Sequence, residues 1–135
     1  MIFGTFDILH PGHIALFKQA RGYGDHLTVV LARDVTVRKV KGSLPLHDEK
    51  QRREILAHID LIDRVVMGDT DNAYRIIKRV RPRVIALGYD QTAFVDRLEE
   101  QLKEFKLPAK IVRLKPHREN KHKTHKIKRL LAQQL

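Results

Sequence analysis

The sequence predicts an α/β protein, a doubly wound parallel sheet of about five strands with helices packed on both faces. Three observations carry that expectation. Short β-branched runs alternate with longer segments of helical period, turn residues mark each boundary, and the strand runs are almost continuously apolar, as parallel strands covered on both faces must be.

Taken in order, Met1-Ile2-Phe3 forms a first strand, shorter than the usual ~5 residues. Helical period then runs from Gly12 to Arg21, and Gly22 and Gly24 close that helix. Leu27 to Ala32 is the second strand, followed by a basic loop through Arg38-Lys39-Val40-Lys41. Asp48 caps a helix running to Ile59, with Gln51 three residues on as its reciprocal partner. Arg64 to Met67, Arg83 to Leu87 and Lys110 to Leu114 supply three more strands. Asn72 to Val80, Phe94 to Phe105 and Thr124 to Gln134 supply the helices between and after them. Phe17, Leu27, Val65, Ile85 and Ile111 are expected in the core. No internal repeat or long linker interrupts the pattern, so residues 1–135 are expected to form one domain.

With 42% hydrophobic residues, the chain of 135 residues can bury a core, yet no run approaches the ~20 apolar residues that span a bilayer. A cytoplasmic protein without a membrane partner is the expectation. The absence of cysteine excludes disulfides, thiolate zinc sites and a cysteine nucleophile. A net charge of +11 makes polyanions the natural partners. Seven Lys or Arg against one Glu lie between Lys115 and Arg129, a net +6 in fifteen residues, with His117, His122 and His125 interleaved.

The chemistry is concentrated at the first strand-to-helix junction, Gly4-Thr5-Phe6-Asp7-Ile8-Leu9-His10-Pro11-Gly12-His13. A helix N-terminus presents unpaired backbone N–H groups and the positive end of a dipole, which is an anion site by construction. Gly12 has no Cβ to keep a phosphate chain from the main chain, and His10 and His13 are placed to donate to one polyphosphate. Two histidines three apart are in isolation more often a surface or metal-binding feature. Asp7 reads equally as a turn residue and as a ligand contact, and Asp90 equally as a helix cap and a nucleotide contact. Lys39, Arg52 and Arg53 would in isolation be solvated charges.

The decapeptide resembles the HxGH signature of the cytidylyltransferase-like nucleotidyltransferases, and further blocks follow in the family's order: Ala32-Arg33-Asp34, Arg38 to Lys41, Gln51-Arg52-Arg53 and Gly88-Tyr89-Asp90-Gln91. The resemblance implies a Rossmann-like fold and a direct displacement: an acceptor phosphate attacks the α-phosphorus of a nucleoside triphosphate and pyrophosphate leaves. It makes His10, His13 and Lys39 the catalytic set. It assigns Gly4, Thr5, Phe6, Gly88, Asp90 and Thr124, with the two histidines, to the nucleotide. Asp7, Lys41, Arg52 and Lys123 fall to the phosphates or the acceptor. Where the family has a hydroxyl-rich block before its last helix, this chain has His122-Lys123-Thr124-His125-Lys126-Ile127, of which Thr124 and Lys126-Ile127 match.

The Ala32-to-Lys39 and Gly88-to-Gln91 blocks look most like the archaeal FAD synthase branch, which implies ATP as donor, FMN as acceptor and Mg²⁺ accompanying the triphosphate. The glycerol-3-phosphate cytidylyltransferase branch, using CTP, is the alternative, ahead of phosphopantetheine adenylyltransferase. The family resemblance also implies a homodimer. In a different class stands a non-catalytic nucleic-acid binder, suggested by the sequence pI near 10.2. The basic tail lacks the interleaved aromatics that stack bases, which makes nucleic acid an unlikely partner.

Overall fold

The computed structural model describes residues 1–117 and 124–134. Five parallel strands form one sheet among them: β1 (Ile2–Gly4), β2 (Thr28–Leu31), β3 (Arg64–Met67), β4 (Val84–Leu87) and β5 (Lys110–Arg113), ordered β3-β2-β1-β4-β5. The chain steps outward from β1 to β3, then returns to place β4 on the other side of β1. That reversal opens a crevice above the carboxyl ends of β1 and β4, where open parallel sheets bind ligands. The expected α/β class is the observed one.

Period-two alternation divides the core between the two faces. On β2, Val29 and Leu31 join Ile2, Phe17, Leu27 and Leu56 on one face, whereas Val30 joins Val66, Ile76, Ile77, Ile85, Leu87, Leu98 and Leu102 on the other. Helices α1 (Pro11–Arg21) and α3 (Glu49–Ala57) supply Phe17 and Leu56 to the first; α4 (Arg75–Val80) and α5 (Leu98–Glu104) cover the second. Of the five residues expected inside, Phe17, Leu27 and Ile85 are buried, while Val65 and Ile111, on the outer strands, are partly buried against the core.

The largest departure from the expected elements lies after β2. Residues Asp34–Lys41 form a helix, α2, not a loop. Val35, Thr36, Val37 and Val40 are poor helix formers, so local preference argues for extended chain. Tertiary contacts override it: Asp34 accepts from the Arg52 guanidinium at 2.7 Å and from the Glu49 N–H at 3.2 Å, and Gly42, at φ 81°, ends the helix in the left-handed region. Smaller departures occur at three ends. Gly22 caps α1 in right-handed geometry, and α3 stops at Ala57. Asp69 accepts from the N–H groups of Asp71 and Asn72 in a turn that delays α4 to Arg75. The segment read as one helix from Phe94 to Phe105 is a 3₁₀ turn, Val95–Arg97, followed by α5. The Asp48–Gln51 capping box forms as expected, and the last helix, α6, spans Thr124–Gln134.

One charged residue ties these parts together. Arg52 on α3 is fully buried. It donates to the carbonyls of His47 (3.0 Å), Thr5 (2.8 Å) and Ala32 (2.9 Å) and to the Asp34 carboxylate (2.7 Å). It therefore satisfies carbonyls just past β1 and β2 while anchoring α2 and the chain before α3. Substituting Arg52→Met keeps most of the apolar stem but strands those acceptors, and we expect a loss of at least about 3 kcal/mol. Urea unfolding at pH 7 measures this, and a loss under about 1 kcal/mol contradicts the assigned role.

Candidate active site

The loop from β1 into α1 explains its own motif. Phe6 and Ile8 both take positive φ (52° each), an arrangement that costs a non-glycine residue of order 1–3 kcal/mol and persists only where packing enforces it. The fold turns the Phe6 ring back over Gly4, where a Cβ would lie 2.7 Å from the ring, so position 4 must be glycine. Phe6 then packs edge-on to His13, with centroids 5.7 Å apart, and at 5.4 Å from Phe17.

His10 caps α1. The Gly12 N–H donates to His10 Nδ1 at 3.1 Å, and the His10 N–H donates to His13 Nδ1 at 3.2 Å. Each Nδ1 is therefore an acceptor, which leaves the ring proton on Nε2 in both imidazoles. The rings lie 3.9 Å apart between centroids. Burial, reinforced by His10 and Lys41, pushes the His13 pKa down to about 4, so His13 is neutral at physiological pH. A Cβ on Gly12 would stand 2.8 Å from the His10 ring, so glycine is needed to seat the cap as well as to admit a ligand.

Asp7 is 3% exposed and accepts from the N–H groups of Leu46 (2.6 Å) and His47 (3.0 Å) and from Lys128 of α6 (2.6 Å). Burial favours its neutral form, but Lys128 and the two amides outweigh that and hold its pKa below the usual carboxylate range. Asp7 is thus the anchor of the α2–α3 connection and of α6, through long-range bonds and not the local turn bond that the sequence suggests.

These groups open into a cleft of about 810 Å³ above the carboxyl ends of the strands. Gly4, Thr5, Phe6, Asp7, His10, His13, Lys41, Gly88 and Asp90 all line it. Lys39 does not: it lies on the exposed side of α2, because a helix turns residues 39 and 41 to different faces, and Lys41 faces the cleft instead. Arg52 is also absent from the lining, its guanidinium occupied in the buried network above. Lys123 lies outside the described residues; Thr124 begins α6, and its side chain is not among those described. Burial and the nearby Lys128 lower the pKa of Lys41, as two ammonium groups facing one cleft should. Lys115, His117 and Lys128 also line the cleft. The sequence marked their segment only by its charge, and only the fold returns it to the first loop. After β4, Gln91 accepts from the Gly88 N–H at 3.2 Å, and Arg113 donates to the carbonyls of Gly88 (2.8 Å) and Gln91 (2.6 Å), shaping the loop that carries Asp90. No group of three or more His, Asp or Glu side chains suited to a metal ion occurs among the described residues. No helix among them is long and apolar enough to cross a membrane.

The profile of the cytidylyltransferase-like proteins matches residues 1–130. The chain belongs to that family. An FAD synthase from Aciduliprofundum boonei is 42% identical over 117 residues, covering 87% of this chain and 78% of that protein. Another from Methanosarcina barkeri is 44% identical over 112 residues, 82% of this chain and 78% of that protein. Among solved structures, the lipopolysaccharide core biosynthesis protein from Thermoplasma volcanium superposes with a TM-score of 0.81 at 36% identity, covering 87% of this chain and 95% of that one. Pantoate-beta-alanine ligase from Francisella tularensis, at 17% identity and TM-score 0.59 over 88% of this chain and 59% of that one, shares the fold.

Two expectations follow for pH. His13 has a folded pKa of about 4 against an unfolded value near ~6.5, so between them the unfolded chain binds the extra proton. Stability therefore rises as pH climbs through that window, and the contribution fades as pH falls toward 4. Asp7, with its lowered pKa, adds stability above the ordinary carboxylate range that is lost at more acid pH. Urea midpoints at pH 4.5 and 7 should differ in wild type, and His13→Asn should flatten the difference. Proton NMR of the His13 ring should show no inflection between pH 5.5 and 8; one near 6.5 contradicts the neutral site.

Proposed function

We propose that this protein is an FAD synthase, transferring AMP from ATP to FMN with release of pyrophosphate. The observation that carries the chemistry is the pair of imidazoles at the N-terminus of α1, each held by a backbone N–H on Nδ1 and so protonated on Nε2. The identity of the substrates is supported by the archaeal FAD synthases, which align with most of this chain at 41–44% identity.

The acceptor phosphate is mostly dianionic at neutral pH, its second pKa being near ~6. It needs no general base. Its oxygen forms a bond to the α-phosphorus, the bond from that phosphorus to the β-phosphate oxygen breaks, and the electron pair leaves with pyrophosphate. The protein's task is to align the two phosphates and to meet the charge on the equatorial and leaving oxygens. His10 and His13 donate to the α-phosphate. Lys41, not Lys39, reaches the polyphosphate from α2, and Lys128 supplies a second cation from α6. Gly88 and Asp90 hold the nucleoside, and Thr5 and Phe6 shape the floor beneath the phosphates. Thr124 and Lys123 are assigned to the β- and γ-phosphates only through the family pattern. Mg²⁺ is expected to arrive on the triphosphate, coordinated by its oxygens and by water. The active form is taken to be a homodimer working in the cytoplasm.

Purified protein supplied with Mg²⁺ and either ATP or CTP, against FMN, glycerol 3-phosphate or phosphopantetheine, tests the assignment through pyrophosphate release. ATP with FMN should be the fastest pair. Faster turnover with CTP and glycerol 3-phosphate would reassign the substrates, and no turnover with any pair alongside salt-sensitive RNA binding would remove the enzyme reading. His13→Ala should lower kcat by at least ~100-fold, the scale of one lost transition-state donor. Lys41→Ala should cost more than Lys39→Ala; the reverse order would contradict the placement of the two lysines.

A further inference from the structure

The cleft crosses the sheet, and its two sides differ in chemistry. On the α1 side stand His10, His13 and Leu16, with Gly88 lying 3.8 Å, at its would-be Cβ, from Leu16. Across the strand ends, on the face covered by α4 and α5, the lining turns apolar: Phe3, Val30, Ile76 and Phe94. Phe3 and Phe94 meet there at 4.8 Å between ring centroids, with their planes inclined at 59°.

Phe94 is held in place at a cost. Its φ is 56°, a left-handed conformation unusual for an aromatic residue, immediately before the 3₁₀ turn. The Tyr74 hydroxyl donates to the Phe94 carbonyl, and the Tyr74 ring stands edge-on to the Phe94 ring at 6.0 Å between centroids. Tyr74 lies just before α4, so this bond spans from the β3 side of the crevice to the loop after β4. A strained residue gripped from a distant element, with its ring half-buried at the cleft wall, is a preformed surface for a flat apolar group.

We propose that the Phe3–Phe94 wall receives the fused planar ring of the acceptor, and that Phe94 determines acceptor specificity; this rests on the reading of FMN as the acceptor. Adenine is also a flat heteroaromatic ring. The acceptor is assigned here because the proposed function gives the nucleoside to Gly88 and Asp90, at the α1 end of the loop whose far end carries Phe94. The acceptor's ring must lie a sugar-chain length from the phosphate that attacks at the histidines. His10, His13, Phe3 and Phe94 line one continuous cleft, so phosphate and ring can occupy it together.

Phe94→Leu retains bulk and loses the π face; Phe94→Tyr retains the face. Kinetics with ATP and FMN varied separately, together with quenching of riboflavin fluorescence by the full-length protein, decide the matter. Riboflavin carries the ring without the phosphate. We expect Phe94→Leu to raise KM for FMN at least 10-fold, to change KM for ATP less than twofold and to weaken riboflavin quenching. Phe94→Tyr should restore both, and thermal unfolding should confirm that each variant folds. An equal rise in both KM values, or a rise for ATP alone, would assign the wall to adenine or to general packing and overturn the proposal. If wild type turns over FMN and Phe94→Leu leaves its KM unchanged, the proposal fails while the FAD synthase reading stands. If wild type neither turns over FMN nor quenches riboflavin, both fail.

Discussion

A guanidinium sealed from water must have its hydrogens met, and the way Arg52 meets that demand organises the rest of the molecule. Parallel strands leave carbonyls without ladder partners where they end, and β1 and β2 end side by side beneath the cleft. Arg52 supplies donors to Thr5 and Ala32 just beyond those ends, while Asp34 balances its charge. Its bond to the His47 carbonyl fixes the chain whose amides at Leu46 and His47 grip Asp7, and Asp7 in turn holds Lys128 of α6. An arginine that contacts no cleft surface thereby sets the positions of the first loop, α2 and the last helix at once. A buried ion pair is weak evidence for stability in itself, because desolvation consumes most of its Coulomb energy. Its value here is positional.

The electrostatics of the cleft follow from that scaffold. Lys41 and Lys128 face it together, and burial first, then repulsion from Lys128, lowers the pKa of Lys41. A further positive charge at the helix N-terminus would deepen that repulsion, and His13 avoids it by remaining neutral, donating through Nε2 instead of adding a cation. Two ammonium groups and a helix N-terminus thus favour negative over positive charge in the cleft, and the strain at Phe6 and Ile8 is one of the costs of holding the first loop in that shape.

Much of this was legible in the sequence, for reasons that differ by residue. The α/β class could be read because the central strands, such as β2 and β4, are apolar throughout, and the Asp48–Gln51 box because capping is local. The histidines and glycines of the first loop could be read through their resemblance to a known signature; the structure adds short-range reasons for two of them, Gly4 for the Phe6 ring and Gly12 for the His10 ring. What failed was non-local. The β-branched composition of residues 35–40 hid α2, whose support comes from Arg52 and Glu49, 15 to 18 positions away. With α2 unread, Lys39 could not be told from Lys41. Arg52 itself was read as a phosphate ligand, since no sequence pattern distinguishes a charge that turns inward from one that faces a ligand. Lys128 was one cation among many until the pairing with Asp7 singled it out.

That division also explains why the reaction class is easier to read than the acceptor. Displacement at a phosphorus by an already ionised phosphate asks the protein for alignment and donors, and one strand-to-helix junction supplies both within a single stretch of chain. Recognition of the acceptor instead requires surfaces from several strand ends. Phe3 comes from β1, Val30, its ladder partner, from β2 and Phe94 from the loop after β4, brought together by the sheet, the Phe3–Phe94 ring contact and the bond from Tyr74. The first function can be written into ten consecutive residues. The second exists only once the sheet has brought its strand ends together.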